Sequence, residues 1–397
     1  MNKELPQLAS LKECTGCAAC IDACHHNALS YVLESDGHYY VQLNKENCIR
    51  CKLCEHACPV VSHLQYSTSE SSFFYAVWMK DLSIRKRSAS GGAFSGIASY
   101  VLDKGGIVFG ATNNPICEVK HIYIDKKEDL YKLQGSKYTQ SNTSNSYKQV
   151  LSFLKQNRLV LFSGLGCQIA GLYSYLSNKK YPGRLITIDI ICGGVPSKNL
   201  IKAFISGEPY KIKQIISFRT KENGWKSKGF LYNLKVEDTQ GNIHDYSGKR
   251  NLITDGFCSE LTNRYSCYNC NFTGIHRMSD YTIGDLWGDS EYPQEHSNGL
   301  SVLIVHNYFA KNLLKKELTK YLSFYKIEDT KTTIQHNPRL VNGKCYKKIM
   351  PERKYMTFLF NHLNYNIIKK IYAYDFGKFS PWMIYKIYRY ILNKIFK

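Results

Sequence analysis

The sequence predicts an α+β cysteine-rich module, then a larger α/β module with a largely parallel sheet and an antiparallel extension, then a basic helical tail. Three observations predict this. Eight cysteines fall in two copies of one spacing before Pro59, strand and helix patterns alternate from Phe73 onward, and Lys and Arg crowd the residues after Lys344. At 397 residues the chain exceeds one typical domain and can bury a sizeable core. The composition shifts divide it into segments 1–66, 73–157, 158–340 and 341–397, with the polar stretch Ser67 to Ser72 as a linker.

The first module carries Cys14, Cys17, Cys20 and Cys24, then Cys48, Cys51, Cys54 and Cys58 followed by Pro59. In the bacterial two-cluster run, three close cysteines ligate one four-iron cluster and the fourth ligates the other. A ferredoxin-like two-cluster domain is therefore expected, with one 4Fe-4S cluster on Cys14, Cys17, Cys20 and Cys58. The second falls to Cys48, Cys51, Cys54 and Cys24. A structural zinc site needs only four ligands, usually as two pairs, so eight at a repeated spacing fit it poorly. Disulfides fit worse, because cysteines two residues apart are badly placed to bridge and no secretory signal is read in Met1 to Ser10. A reducing, cytoplasmic setting is the expectation. His25 follows the fourth cysteine, as a surface residue or as a hydrogen-bonding neighbour of a cluster.

Next, Phe73 to Met79 reads as a strand. Ser90-Gly91-Gly92-Ala93 starts an amphipathic helix to about Leu102, and Ile107 to Phe109 follows as a strand, giving a strand-helix-strand unit. Ser144 to Gln156 reads as helix, Leu159 to Phe162 as a buried strand and Gln168 to Leu176 as helix. Leu185 to Ile191 is a second buried strand and Lys198 to Ile205 a helix. These repeats argue for a parallel sheet. Ile212 to His244 is more antiparallel, with a hairpin at Gln240-Gly241-Asn242. The apolar stretch Leu159 to Leu176 is broken by Ser163, Gly164, Gly166 and Gln168, so no membrane span is supported.

Cys167 and Cys192 each stand just past a buried strand, where open α/β sheets bind cofactors. Cys267 and Cys270 have metal-ligand spacing and complete a set of four thiols. That set suits a third 4Fe-4S cluster or a zinc, and spacing alone leaves reduced thiols open as well. Cys258 is a spare candidate, whereas Cys117 and Cys345 read as small buried hydrophobes.

The motifs Ser90-Gly91-Gly92-Ala93-Phe94, Gly135-Ser136-Lys137-Tyr138, Gly164-Leu165-Gly166-Cys167-Gln168 and Cys192-Gly193-Gly194-Val195-Pro196-Ser197 follow the cysteine pair in order. Phe218-Arg219-Thr220-Lys221, Ser266-Cys267-Tyr268-Asn269-Cys270 and Gly284-Asp285-Leu286-Trp287-Gly288 come after them. In that order, over residues 10 to 335, the chain resembles the coenzyme F420 hydrogenase/dehydrogenase beta-subunit family. The resemblance implies an iron-sulfur oxidoreductase with FAD beside a four-iron cluster. Its members include deazaflavin reductases, reductases of chlorophyll-type substrates, and bacterial proteins that accompany polysaccharide biosynthesis. The Gly164-Leu165-Gly166 turn departs from the commoner Gly-Thr-Pro, and Cys192-Gly193-Gly194 from a frequent Cys-His-Gly, while both cysteines stay in place.

Ser90, Gly91 and Gly92 at a helix start offer amides to a flavin phosphate, or form an ordinary serine cap. Lys137, Tyr138 and Gly164 join them as expected flavin contacts, Lys137 meeting phosphate or the reduced flavin anion. Arg219 and Lys221 are candidates to draw an acidic substrate. Arg277 and Asp285 are tied to the site by the resemblance, and neither is assigned an acid-base role. A rival reading is a nonenzymatic iron-sulfur electron-transfer subunit or accessory protein that docks a separate reductase.

Lys plus Arg exceed Asp plus Glu, 53 against 32, for a formal charge of +21. Oxidised clusters of about −2 each leave a strongly basic protein. An acidic electron carrier (ferredoxin, flavodoxin or deazaflavin) is the expected partner, and nucleic acid is not, for want of a recognition motif. In the tail, Ile384, Ile387, Tyr388, Ile391, Leu392 and Ile395 share one helical face opposite Lys386, Arg389 and Lys394. Such a helix either packs on the core or lies at an anionic inner membrane face. The oligomeric state is not legible.

Overall fold

The computed structural model describes residues 4–62, 72–113, 118–222, 224–225, 233–288, 290–341 and 350–368. Cys117, Cys345 and the tail face from Ile384 to Ile395 lie outside the described residues.

The N-terminal module is short helices and one hairpin: α1 (Ala19–Ala23), β1 (Leu29–Leu33), β2 (Tyr39–Leu43) and α2 (Leu53–His56). Strands β1 and β2 pair antiparallel in register Leu29↔Leu43 to Leu33↔Tyr39. So small a module buries few large side chains. It leans on the rest of the chain, where the hydroxyl of Thr143 donates to the Cys17 carbonyl at 2.7 Å and that of Ser197 to the Asp36 carbonyl at 2.8 Å.

The chain then builds β3 (Phe73–Met79), α3 (Leu82–Arg87), α4 (Ala93–Asp103), β4 (Ile107–Asn113), β5 (Val119–Ile124), β6 (Ser141–Asn142) and α5 (Ser146–Lys155). After these come β7 (Leu159–Leu165), α6 (Gly166–Leu176), β8 (Arg184–Ile190) and α7 (Lys198–Gly207). A smaller unit follows: β9 (Ile212–Ser217), β10 (Lys235–Asp238), β11 (Ile243–Asp245) and α8 (Leu252–Ser259). The last elements are β12 (Tyr281–Asp285), β13 (Ser301–Val305), α9 (Tyr308–Lys316), β14 (Leu322–Lys326), α10 (Thr330–Gln335) and α11 (Met350–His362).

Among the described residues the main sheet runs β14-β3-β13-β12-β8-β7-β4-β5-β6. Its centre, β12-β8-β7-β4, is parallel, and β7 pairs with β8 from Leu159↔Arg184 to Leu165↔Ile190. The flanks are antiparallel, through β13, β3 and β14 on one side and β5 on the other. The expected largely parallel sheet is thus a mixed one. The expected strand-helix-strand unit is corrected too: β3 and β4 are separated by β13, β12, β8 and β7, because β3 pairs with strands formed more than 200 residues later. Nor does the antiparallel segment extend this sheet. Strands β9, β10 and β11 form their own three-stranded sheet, with Gly241 at φ +87° in the β10–β11 turn.

Alternation along the central strands supplies two cores. Val108 and Leu161 face α4 and α9 through Ile97, Val101, Leu313 and Leu314. Phe109, Val160 and Phe162 point the other way, to Tyr147, Val150 and Leu154 of α5 and Ile169 and Leu172 of α6. Cys17, Ala19, Ala23 and Ala57 join this second core, so the cysteine module sits on the α5–α6 face. Each large apolar side chain fully buried there is worth about 1.5–3 kcal/mol. Among the described residues, no helix is long and apolar enough to cross a membrane.

Candidate functional site

The short helices and turns of the N-terminal module bring its cysteines into two groups. Burial pushes the Cys17 thiol up to about 12, and the nearby Cys58 and Cys14 add to the rise. Cys20 is also raised by burial and by Cys17, Cys14 and Cys58. The second group lines one small cavity: Cys24, Cys48, Cys51 and Cys54. Burial lifts Cys54 to about 11, with Cys24 and Cys51 contributing. The fourth cysteine of each run therefore stands near the other run's group. His25 is exposed.

A third group gathers at the carboxyl ends of β7 and β8. Cys167 lies in the first turn of α6, and Cys192 just past β8, with register neighbours Leu165 and Ile190 holding the two strand ends together. Burial pushes Cys167 well up, followed by Cys270, Cys192, Cys17 and Cys267. Backbone amides donate to these sulfurs: Gly194 to Cys192 at 3.3 Å, Val195 to Cys267 at 3.4 Å and Phe272 to Cys270 at 3.4 Å. Such bonds favour a thiolate or a sulfur-bound metal. A Cβ on Gly171 of α6 would fall 2.9 Å from the Cys17 sulfur, so the first group abuts the helix that carries Cys167. Cys258 is exposed on α8. Among the described residues no three His, Cys, Asp or Glu side chains converge on a single-ion site.

Beside the third group opens a cavity of about 570 Å³, walled by Ser90, Gly92, Lys137, Tyr138, Gly164 and Cys192 among others. Five of the six expected flavin contacts thus face one space. Gly91 does not. A Cβ there would stand 2.4 Å from the Val77 carbonyl oxygen and 2.7 Å from the Ser301 amide, so its glycine serves close packing on β3 and β13. The amides of Gly91 and Gly92 are also taken, by the Ser301 hydroxyl at 2.9 Å and the Ala89 carbonyl at 3.0 Å. Gly92, in the left-handed region at φ +85°, precedes α4 in place of a serine cap. Ser90 instead donates to the Asp285 carboxylate.

Arg219 forks onto Asp285 through two bonds of 2.9 and 2.8 Å. Burial opposes ionisation of Asp285, yet Arg219, with the Ser90 hydroxyl, holds its carboxyl below the usual range. Lys137 donates to the Gln134 carbonyl at 2.7 Å, and burial pulls its ammonium down to about 7. Tyr138 stacks on Phe257 with ring centroids 4.1 Å apart.

Two expectations are corrected. Lys221 does not line the cavity, because its ammonium ties together the carbonyls of Arg85, Ser90 and Asn298 at 2.6, 2.6 and 2.9 Å. Arg277 is buried against Asp189 at 3.1 Å. Asp280 accepts the Thr187 amide at 2.7 Å and braces β8.

Sequence reasoning missed His121 on the cavity wall. Its ring accepts from the Ser141 hydroxyl at 2.7 Å through Nδ1 and donates to the Ser163 carbonyl at 2.9 Å through Nε2, and burial pulls it down to about 4. The signal was present: in the β5 run Val119-Lys120-His121-Ile122, His121 occupies the buried, period-two face.

Two family models match in tandem, both of the coenzyme F420 hydrogenase/dehydrogenase beta subunit: that of its N-terminal part over residues 74–148, and that of its C-terminal part over residues 157–330. Residues 13–61 match a 4Fe-4S dicluster domain. A comparison with curated proteins gives no match. Among solved structures, a chain of the F420-reducing NiFe hydrogenase complex from Methanosarcina barkeri is similar, at 16% identity over 69% of this chain and 91% of that one, with a TM-score of 0.43. The dicluster match makes this an iron-sulfur, metal-binding redox protein of the oxidoreductase class. By the two tandem matches, which together span more than half of its length, the chain belongs to the coenzyme F420 hydrogenase/dehydrogenase beta-subunit family.

Proposed function

We propose that the protein is an iron-sulfur flavoprotein oxidoreductase in which three cysteine groups and the cavity beside them form one electron path. In this reading residues 1–66 carry two 4Fe-4S clusters, and segments 73–157 and 158–340 together hold a third cluster and FAD. When bound, the clusters supply one-electron transfer and the flavin supplies its conversion to hydride exchange with an organic substrate.

The donor sets fit. Cys14, Cys17, Cys20 and Cys58 would hold one cluster, Cys24, Cys48, Cys51 and Cys54 a second, and Cys167, Cys192, Cys267 and Cys270 the third. Buried thiols that repel each other's ionisation, as Cys17 and Cys20 do, are relieved when metal takes the thiolates. In the cavity, the first-turn amides of α4 at Ala93, Phe94 and Ser95 have no partner within the helix and suit phosphate. Lys137 offers a positive charge, and the stacked Tyr138 and Phe257 a flat apolar wall for a ring.

The observation that carries the reading is the shared wall: Cys192 lines the same cavity as Ser90, Lys137 and Tyr138. The substrate is a deazaflavin-like carrier or a polysaccharide-biosynthesis intermediate, and an acidic electron carrier is the redox partner. Peripheral binding of the 341–397 tail to an anionic membrane is part of the same reading. Identification of flavin extracted from anaerobically purified protein tests it. About one FAD per chain is expected. Clusters with no FAD or FMN would overturn it and leave a nonenzymatic electron-transfer subunit.

A further inference from the structure

Arg264 is 1% exposed, in the turn that leads to Cys267. Its Nη2 donates to the Tyr39 carbonyl, and its guanidinium lies 4.3 Å from the centre of the Tyr40 ring. Nε and Nη1 are buried with no hydrogen-bond partner among the described residues. No described carboxylate forms an ion pair with it. Asp36, which accepts from the Tyr40 hydroxyl at 2.9 Å, is taken by Arg353 at 2.6 Å. A guanidinium cannot shed its proton, so an uncompensated one in the interior is strongly unfavourable unless an anion lies beside it.

The surroundings indicate which anion. A Cβ on Gly16, between Cys14 and Cys17, would fall 2.5 Å from Nη2 of Arg264, so the guanidinium lies directly against the first ligand loop. Ser266, two residues on, donates to the Cys14 carbonyl at 3.1 Å. On the other side, the Arg264 amide donates to the Val195 carbonyl at 2.9 Å, and the Arg264 carbonyl accepts from Cys267 at 3.0 Å. The turn therefore joins the first and third cysteine groups. Tyr31, which donates to the Gly16 carbonyl at 2.6 Å, feels both Arg264 and Cys17, Cys14 and Cys20.

We propose that Arg264 is the buried counter-cation of the first-group cluster and raises its reduction potential. This rests on the iron-sulfur reading above. Arg264 is a positioning residue that acts by charge, since a cluster with four thiolates carries about −2.

The test is a redox titration, followed by electron paramagnetic resonance, of the anaerobically reconstituted full chain, with iron counted on the same samples. Arg264→Met is expected to keep its iron and move the first-group cluster to more negative potential while another cluster stays in place. Arg264→Lys is expected to restore most of the shift. If Arg264→Met and the amide variant Arg264→Gln fail to load iron while Arg264→Lys loads fully, the requirement for charge is upheld. Loaded neutral variants with unchanged potentials would overturn the proposal, as would Arg264→Lys behaving like Arg264→Met. Iron content and cluster signals of the unaltered protein test the iron-sulfur reading separately.

Discussion

The carboxylate of Asp22 in α1 accepts the backbone amide of Tyr147 at the start of α5, at 2.9 Å. It also accepts the amides of Asn145 at 2.6 Å and Lys148 at 3.3 Å. One side chain from between Cys20 and Cys24 thereby satisfies the open end of a helix in the other module. Helix α5 packs on β7, whose end carries Gly164 and leads to Cys167, so Asp22 links the ligand loops to the cavity. Replacing it with alanine strands these amides and is expected to cost about 1–3 kcal/mol. Denaturant unfolding of the iron-loaded protein measures this, and an unchanged midpoint would deny Asp22 a docking role.

The ion pair of Arg219 with Asp285 makes a second prediction. Both are largely buried, at 6% and 16% side-chain exposure, so removing one partner leaves a charge without compensation. Arg219→Ala is expected to destabilise by about 3–5 kcal/mol, and Arg219→Ala with Asp285→Ala by clearly less. Thermal or chemical unfolding of the two variants reads the difference. Equal losses in the single and double variants would mean that the pair acts only through packing.

Lys137 sets a pH dependence. Its folded-state value is lowered from 10.5 to about 7, so in the free protein the ammonium is present below pH 7 and lost as pH rises through it. Anion binding in the cavity should therefore weaken by about tenfold between pH 6 and pH 8. The burial of Lys137 costs stability below pH 7, and that cost is relieved as pH rises from about 7 to 10.5, where the unfolded chain still binds the proton. Fluorescence titration with FAD at a series of pH values checks the binding slope. Lys137→Met should flatten it, and an unaltered slope would assign the effect to another group.

Iron content makes a fourth. Three clusters require about twelve irons per chain, and Cys267→Ser should remove about four while the cluster signals of the N-terminal pair persist. A content near eight in the unaltered protein would remove the third cluster.

How much of this was legible in the sequence follows from the range of each interaction. Cys14 to Cys24 and Cys48 to Cys58 are readable because ligand spacing is local, and β7 and β8 because buried strands joined by one helix are usually neighbours. The place of β3 was not readable, since its partners β13 and β14 arrive far along the chain and nothing in Phe73 to Met79 specifies them. Lys221 looked like a ligand for an acidic substrate, and Arg277 like a site residue, only because sequence does not show the carbonyls and the Asp189 carboxylate that occupy them. Asp22 and Arg264 escaped notice for the same reason: one capping carboxylate and one buried guanidinium have no local signature.

Anaerobic reduction of the flavin-loaded chain by a one-electron donor, with clusters and flavin followed separately by rapid-mixing absorbance, tests the single electron path most directly. The path predicts that clusters and flavin both bleach in the unaltered protein. In Cys192→Ser the N-terminal clusters should bleach on time while the flavin lags at least tenfold. Flavin bleaching equally fast in both proteins, or a chain that takes up no flavin at all, would contradict it.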